Sequence, residues 1–107
     1  MSKSRLEILK DMLALDTTDS FVRYALAKEY ESLSDHDSAL NEYLILMKND
    51  ANYVGMYYHL AKLYEKLENY DKAMETYNLG VEIAKKNKDF HALSELNSAK
   101  LNLEMEL

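Results

Sequence analysis

Tyr24-Ala-Leu-Ala-Lys-Glu-Tyr-Glu-Ser-Leu33 returns further along the chain as Tyr58-His-Leu-Ala-Lys-Leu-Tyr-Glu-Lys-Leu67. The paired positions within it are Tyr24/Tyr58, Leu26/Leu60, Ala27/Ala61, Lys28/Lys62, Tyr30/Tyr64, Glu31/Glu65 and Leu33/Leu67. Behind both copies the echo continues in the same register, with Asp37, Ala39 and Tyr43 falling on Asp71, Ala73 and Tyr77. A 34-residue period marks stacked supersecondary units, each unable to bury its own apolar face alone. Within each copy the apolar residues recur at three and four positions, which is the spacing of one helix face. The repeat therefore predicts pairs of helices stacked on one another.

Working outward, six segments carry helical period. The first, residues 4–15, places Leu6, Leu9, Met12 and Leu13 on one stripe, and Ser4 with Glu7 forms a capping box in which each side chain satisfies an orphan amide. Short polar residues from Asp16 to Ser20 break that pattern. Residues 20–33 bury Val22, Leu26, Ala27, Tyr30 and Leu33; after a turn with Asp35 as N-cap, residues up to 48 bury Ala39, Leu40, Tyr43, Leu46 and Met47. Residues 53–67 repeat the earlier helix, and Asn69 caps a helix over 70–86 with Ala73, Met74, Tyr77, Gly80 and Val81 inward. A closing helix over 89–105 sets Phe90, Leu93, Leu96 and Leu103 on one face. Ala27 and Ala61 let neighbouring helices approach closely. The large tyrosines fill the space between turns and are expected near the edges, where their hydroxyls find partners.

Composition narrows the function classes. The 107 residues are 48% hydrophobic and 30% charged, with no proline and two glycines, which suits one ordered helical domain and argues against a turn-rich sheet. Net charge is −6, so a duplex phosphate backbone is repelled and nucleic acid is not expected as a partner. The basic run Lys85, Lys86, Lys88 is short and reads as a charged inter-helix loop. Without cysteine there is no disulfide, thiolate nucleophile or thiolate metal site. No stretch reaches the roughly 18–20 apolar residues of a membrane span, and the start has no apolar signal run. The expectation is a soluble cytoplasmic protein, complete from its initiator methionine, with no membrane partner.

Tyr57, Leu60, Ala61, Tyr64, Ala73, Tyr77 and Gly80 stand where the tetratricopeptide repeat carries its signature residues, and the chain resembles that family. In the earlier copy Leu26, Ala27, Tyr30, Ala39 and Tyr43 match, while Arg23 replaces the first aromatic and Leu46 the small residue; the repeat-ending proline is missing from both. The resemblance implies an all-α, right-handed α-α superhelix forming a single domain over 1–107. An N-terminal helix (1–19) stands as half a repeat, two repeats cover 20–53 and 54–87, and a capping helix covers 88–107. The half-repeat follows because Leu6, Leu9, Met12 and Leu13 sit one full period ahead of Leu40, Tyr43, Leu46 and Met47.

For catalysis the material is poor: His36, His59 and His91 are scattered, and no phosphate loop or nucleophile elbow occurs. His91 and Glu95, four apart on one helix, read as a surface pair rather than a metal site. The expectation is no enzyme, no cofactor and no metal. Binding is favoured instead. By resemblance, the concave groove is lined by Tyr24, Lys28 and Glu31 from the first copy and by Tyr58, His59, Lys62 and Glu65 from the second. Lysines beside tyrosines suit a peptide or partner protein offering acidic or aromatic side chains. The pattern by which some family members clamp a terminal carboxylate is incomplete at Tyr24, Lys28 and His59. Self-association as a homodimer is the second expectation, through Ile8 and Leu15 on the first helix and Leu101 and Leu107 on the last, all off the main stripes.

Overall fold

Short polar side chains begin almost every helix of this chain. In a computed structural model describing residues 2–107, the helices are α1 (Arg5–Leu15), α2 (Ser20–Ser32), α3 (His36–Asn49), α4 (Gly55–Lys66), α5 (Tyr70–Asn87) and α6 (Phe90–Glu106). Asp19 accepts the amide of Val22 at 3.0 Å, Asp35 that of Ser38 at 3.2 Å, Asn69 that of Lys72 at 3.3 Å and Asp89 that of Ala92 at 3.0 Å. Each bond satisfies one amide that the helix itself cannot reach. Ser4 caps α1 in the same way, accepting from the Glu7 amide at 3.2 Å; the Glu7 carboxylate takes the Ser4 hydroxyl at 3.3 Å, so the expected box is realised on one side only. Val54 precedes α4 with no side-chain cap, and Met56 and Tyr57 donate instead to the carbonyls of Tyr53 and Val54.

The turns inside the repeats are built alike. Ser34 and Glu68, equivalent positions in the two copies, both take left-handed backbone, with φ of 59° and 60°. Behind them Asp35 donates to the Tyr30 carbonyl and Asn69 to the Tyr64 carbonyl, both at 2.9 Å, closing the last turn of α2 and of α4. This is the Schellman closure, and the residue making it is at once the N-cap of the next helix. Lys88 (φ 56°) and Asp89 repeat the device between α5 and α6. Stop and restart thus share the same short turn, which fixes neighbouring helices side by side.

The helices group into two compact units, Met1–Asp50 and Ala51–Leu107. In the first, Leu9 and Leu13 of α1 meet Val22 and Leu26 of α2, with Leu6, Ala25 and Tyr30 packed around them, and α2 packs on α3 across the fully buried Ala27 and Ala39. In the second, α5 lies against both α4 and α6, burying Met56, Tyr57, Leu60, Ala61, Tyr77, Leu96, Ala99 and Leu103. Burying one leucine- or phenylalanine-sized side chain is worth roughly 1.5–3 kcal/mol, so these stripes supply most of the stabilisation.

Several expected core positions lie outside. Leu33 is 57% exposed because it is the C-cap of α2, beyond the last packed turn. Phe90 is 70% exposed: as the first residue of α6 it points well away from the Leu96, Ala99 and Leu103 stripe. Met12, 47% exposed, faces away from the α2 side of α1. Tyr43 and Tyr77, expected near an edge, are wholly buried, and Ala84 and Ala99, which the sequence pattern left out, are buried as well.

Candidate functional site

The residues singled out by sequence stand on α2 and on α4. Tyr24, Lys28 and Glu31 stand on α2 in the first unit; Tyr58, His59, Lys62 and Glu65 stand on α4 in the second. Four-residue spacing puts each lysine over its own tyrosine: Lys28 Nζ lies 5.9 Å from the Tyr24 ring centroid and Lys62 Nζ 5.7 Å from that of Tyr58. The His59 ring meets Tyr58 edge-on at 5.4 Å and 84°.

The two glutamates have partners below the surface. Tyr43 donates its hydroxyl to Glu31, and Tyr77 donates to Glu65. A buried phenol needs an acceptor, and this carboxylate supplies one while it stays partly exposed. Burial pushes both tyrosine hydroxyls well above their ordinary 10.0, and the carboxylate that accepts each proton adds to the push. In the second unit Lys62 also lies 3.8 Å from Glu65, so Tyr58, Lys62, Glu65 and Tyr77 form one string from surface to core.

Beside this shared pattern, the copies differ in one coordinated way. Tyr57 is buried and donates to the Ala51 carbonyl at 2.6 Å. Arg23 holds the equivalent position and donates to the equivalent carbonyl, Thr17, at 3.2 Å. It also pairs with Glu42 at 2.6 Å, both side chains 13% exposed, where the second copy has the buried Thr76. Thus the first copy exchanges an aromatic and a threonine for an ion pair that keeps the same backbone contact. Gly80 lies so close to α4 that a β-carbon there would stand 2.6 Å from the Tyr57 β-carbon; Leu46 holds that place in the first copy.

Above the α4 string the second unit opens a cleft of about 290 Å³. Tyr58 and Lys62 form one wall, while His91, Ser94, Ser98 and Asn102 of α6 form the other. His91 Nε2 lies 3.6 Å from the Glu95 carboxylate at its edge. Among the described residues no group of three or more histidine, aspartate or glutamate side chains could hold a metal ion. A cleft with hydroxyls and an amide on one wall and a ring with a cation on the other suits an extended polar chain bearing an anchoring side chain. The first unit has a larger cleft, about 500 Å³, beside the α1–α2 turn. Part of its polar lining is engaged within the fold: Thr18 binds Asp16, Arg23 binds Glu42, and Ser20 donates to Asp50 at 2.7 Å.

Sequence reasoning missed the α6 wall. Its serines and asparagine lie outside the 34-residue echo; the signal available was the spacing of 91, 94, 98 and 102, four polar residues on one helix face.

The tetratricopeptide repeat family model matches residues 54–87. A tetratricopeptide repeat domain protein of Salinibacter ruber, known as a crystal structure, is 45% identical over 80% of this chain and 96% of its own, with a TM-score of 0.77. A Bordetella parapertussis protein structure, 24% identical, covers 98% of this chain and 91% of its own at a TM-score of 0.85. PcrH, crystallised in complex with the chaperone-binding region of PopD, is 18% identical over 94% of this chain and 77% of its own, at 0.86. The last two share the fold alone. No curated protein matches the chain.

Proposed function

The chain belongs to the tetratricopeptide repeat family, and from that premise we propose that it is a protein-interaction module taking a peptide segment of a partner protein along its first-helix faces, without catalysis. Tyr24, Lys28 and Glu31 on α2, with Tyr58, His59, Lys62 and Glu65 on α4, are the residues assigned to recognition. One observation carries the reading: Tyr58 and Lys62 form a wall of the cleft opposite Ser94, Ser98 and Asn102. The tyrosine ring supplies a rigid apolar anchor, the lysine one positive charge, and the α6 side chains the hydrogen bonds that an extended backbone needs. The holding of a PopD segment by PcrH, a protein of the same fold, supports the class of ligand.

Charge defines the ligand further. A net charge of −6 repels strongly acidic partners at long range, so a single carboxylate among aromatic residues is the form Lys62 can hold. A short peptide of that composition, titrated into isotopically labelled protein, should shift the backbone resonances of Tyr58, Lys62, Ser94 and Ser98. Binding should weaken as salt rises, because exposed charges are screened within about 8 Å at physiological ionic strength. Shifts confined to α3 and α5, or none at any concentration, would contradict the assignment.

A further inference from the structure

The 34-residue register assigns a covering partner to one side of α1. Ile8 and Met12 correspond to Glu42 and Leu46 of α3 and to Thr76 and Gly80 of α5. On α3 and α5 that side is covered by the helix preceding it: Glu42 pairs with Arg23 of α2, and Gly80 meets Tyr57 of α4. Leu46 is 1% and Thr76 5% exposed, against 46% for Ile8 and 47% for Met12. The other side of α1, carrying Leu9 and Leu13, is buried on α2. What fits Ile8 and Met12 is therefore a helix of the α2 and α4 type.

This chain carries a third helix of that type with its own pairing side uncovered. On α2 the residues that pack on the preceding helix, Val22 and Leu26, are each followed by one that turns toward the next helix, Arg23 and Ala27. The same single step on α6, from the buried Leu96, reaches Asn97, with Leu93 and Leu101 one helical turn to either side. Leu101 is 55% and Met105 76% exposed. The helices also differ in net charge: α1 with its Lys3 flank has three basic residues against two acidic, Arg5 and Lys10 being drawn to Glu29 and Tyr30 of α2, whereas α6 has one lysine against three glutamates. The difference therefore acts at long range, where unlike helices attract and like helices repel.

We infer that a second copy of this chain covers α1: α6 of one copy packs on the Ile8 and Met12 side of α1 of the next, completing a helix pair between molecules. The contact is heterologous, using a different surface on each copy, and is separate from the α4–α6 cleft.

Sedimentation equilibrium across a wide concentration range tests it, using the 107-residue chain, Met12→Glu and Leu101→Glu. Both positions are exposed, and circular dichroism melting checks that each variant stays folded. The wild type should gain mass with concentration. Each variant alone should remain at the mass of one copy, because every contact needs one intact α1 and one intact α6. An equal mixture should reach the mass of two copies and stop, since each variant contributes its intact helix. A wild type that stays at one copy throughout overturns the inference, as does a mixture that never pairs. One variant alone associating like the wild type would also overturn it, by showing a two-fold contact through the helix it leaves intact.

Discussion

Tyr43 and Tyr77 hold their protons against the carboxylates of Glu31 and Glu65 inside the fold, whereas an unfolded tyrosine releases its proton near 10.0. Because the folded values lie above the unfolded one, the contribution to stability is complete below pH 10 and is lost progressively as pH rises beyond it. Melting temperature should fall above pH 10, and tyrosinate absorbance from these two residues should grow in step with the loss of helix. Full ionisation of all nine tyrosines with helix content unchanged would contradict the burial. Glu68 supplies a second test. It holds left-handed backbone at φ 60°, a conformation that costs a side-chain-bearing residue roughly 1–2 kcal/mol and glycine almost nothing. Glu68→Gly should therefore stabilise the protein by about 0.5–1 kcal/mol in urea unfolding, the added freedom of the unfolded chain offsetting part of the gain. Neither the tyrosine–glutamate bonds nor the left-handed turn was named from sequence, although Glu31/Glu65 and Tyr43/Tyr77 both echo between the copies. A shared period shows that two residues matter to each repeat and is silent on whether they meet.

Helix pairs are held apart by whatever stands at their closest approach. Between α4 and α5 that point is Gly80 against Tyr57, with Leu96 of α6 closing from the other side at 3.1 Å from where a β-carbon would sit. Alanine is the better helix former by about 1 kcal/mol, so propensity alone favours Gly80→Ala. Packing should win: the added methyl has no space, and overpacking a tight core costs roughly 1–3 kcal/mol. The variant is expected to melt below the wild type. An unchanged or higher melting temperature would show that α4 and α5 are not so closely packed. At this scale the sequence was most legible. The caps Asp35 and Asn69, the helix order and the Ala27/Ala61 contacts all follow from the 34-residue pattern. Its errors fell at helix ends and at uncovered sides. Leu33 lies beyond the last packed turn of α2, Phe90 at the start of α6 points away from its buried stripe, and the burial of Met12 depends on what lies beside α1, which periodicity on α1 does not encode. The ion pair of Arg23 and Glu42 was half visible, since Arg23 stood out against Tyr57; the matching change at Thr76 needed the contact to give it meaning.

Across the whole chain, membership of the repeat family settles the kind of molecule, and the residue-level departures from the repeat distinguish this member. The family fold was legible because two copies agree in both spacing and residue type. Half of the candidate cleft was not, because α6 does not repeat and its Ser94, Ser98 and Asn102 read as a solvated face until set opposite Tyr58. Among the described residues no helix is long and apolar enough to cross a membrane. The central claim, that the wall of Tyr58 and Lys62 recognises a peptide, is tested most directly by comparing two alanine variants for affinity toward the same short aromatic peptide with its single glutamate. Tyr58→Ala removes the cleft anchor, while Leu79→Ala removes an exposed apolar side chain on α5 that is no part of the cleft. Loss of an interface anchor costs more than about 1 kcal/mol, so the Tyr58→Ala dissociation constant should rise at least about fivefold while that of Leu79→Ala stays near the wild type. An affinity untouched by Tyr58→Ala and abolished by Leu79→Ala would contradict the claim and move recognition to α5.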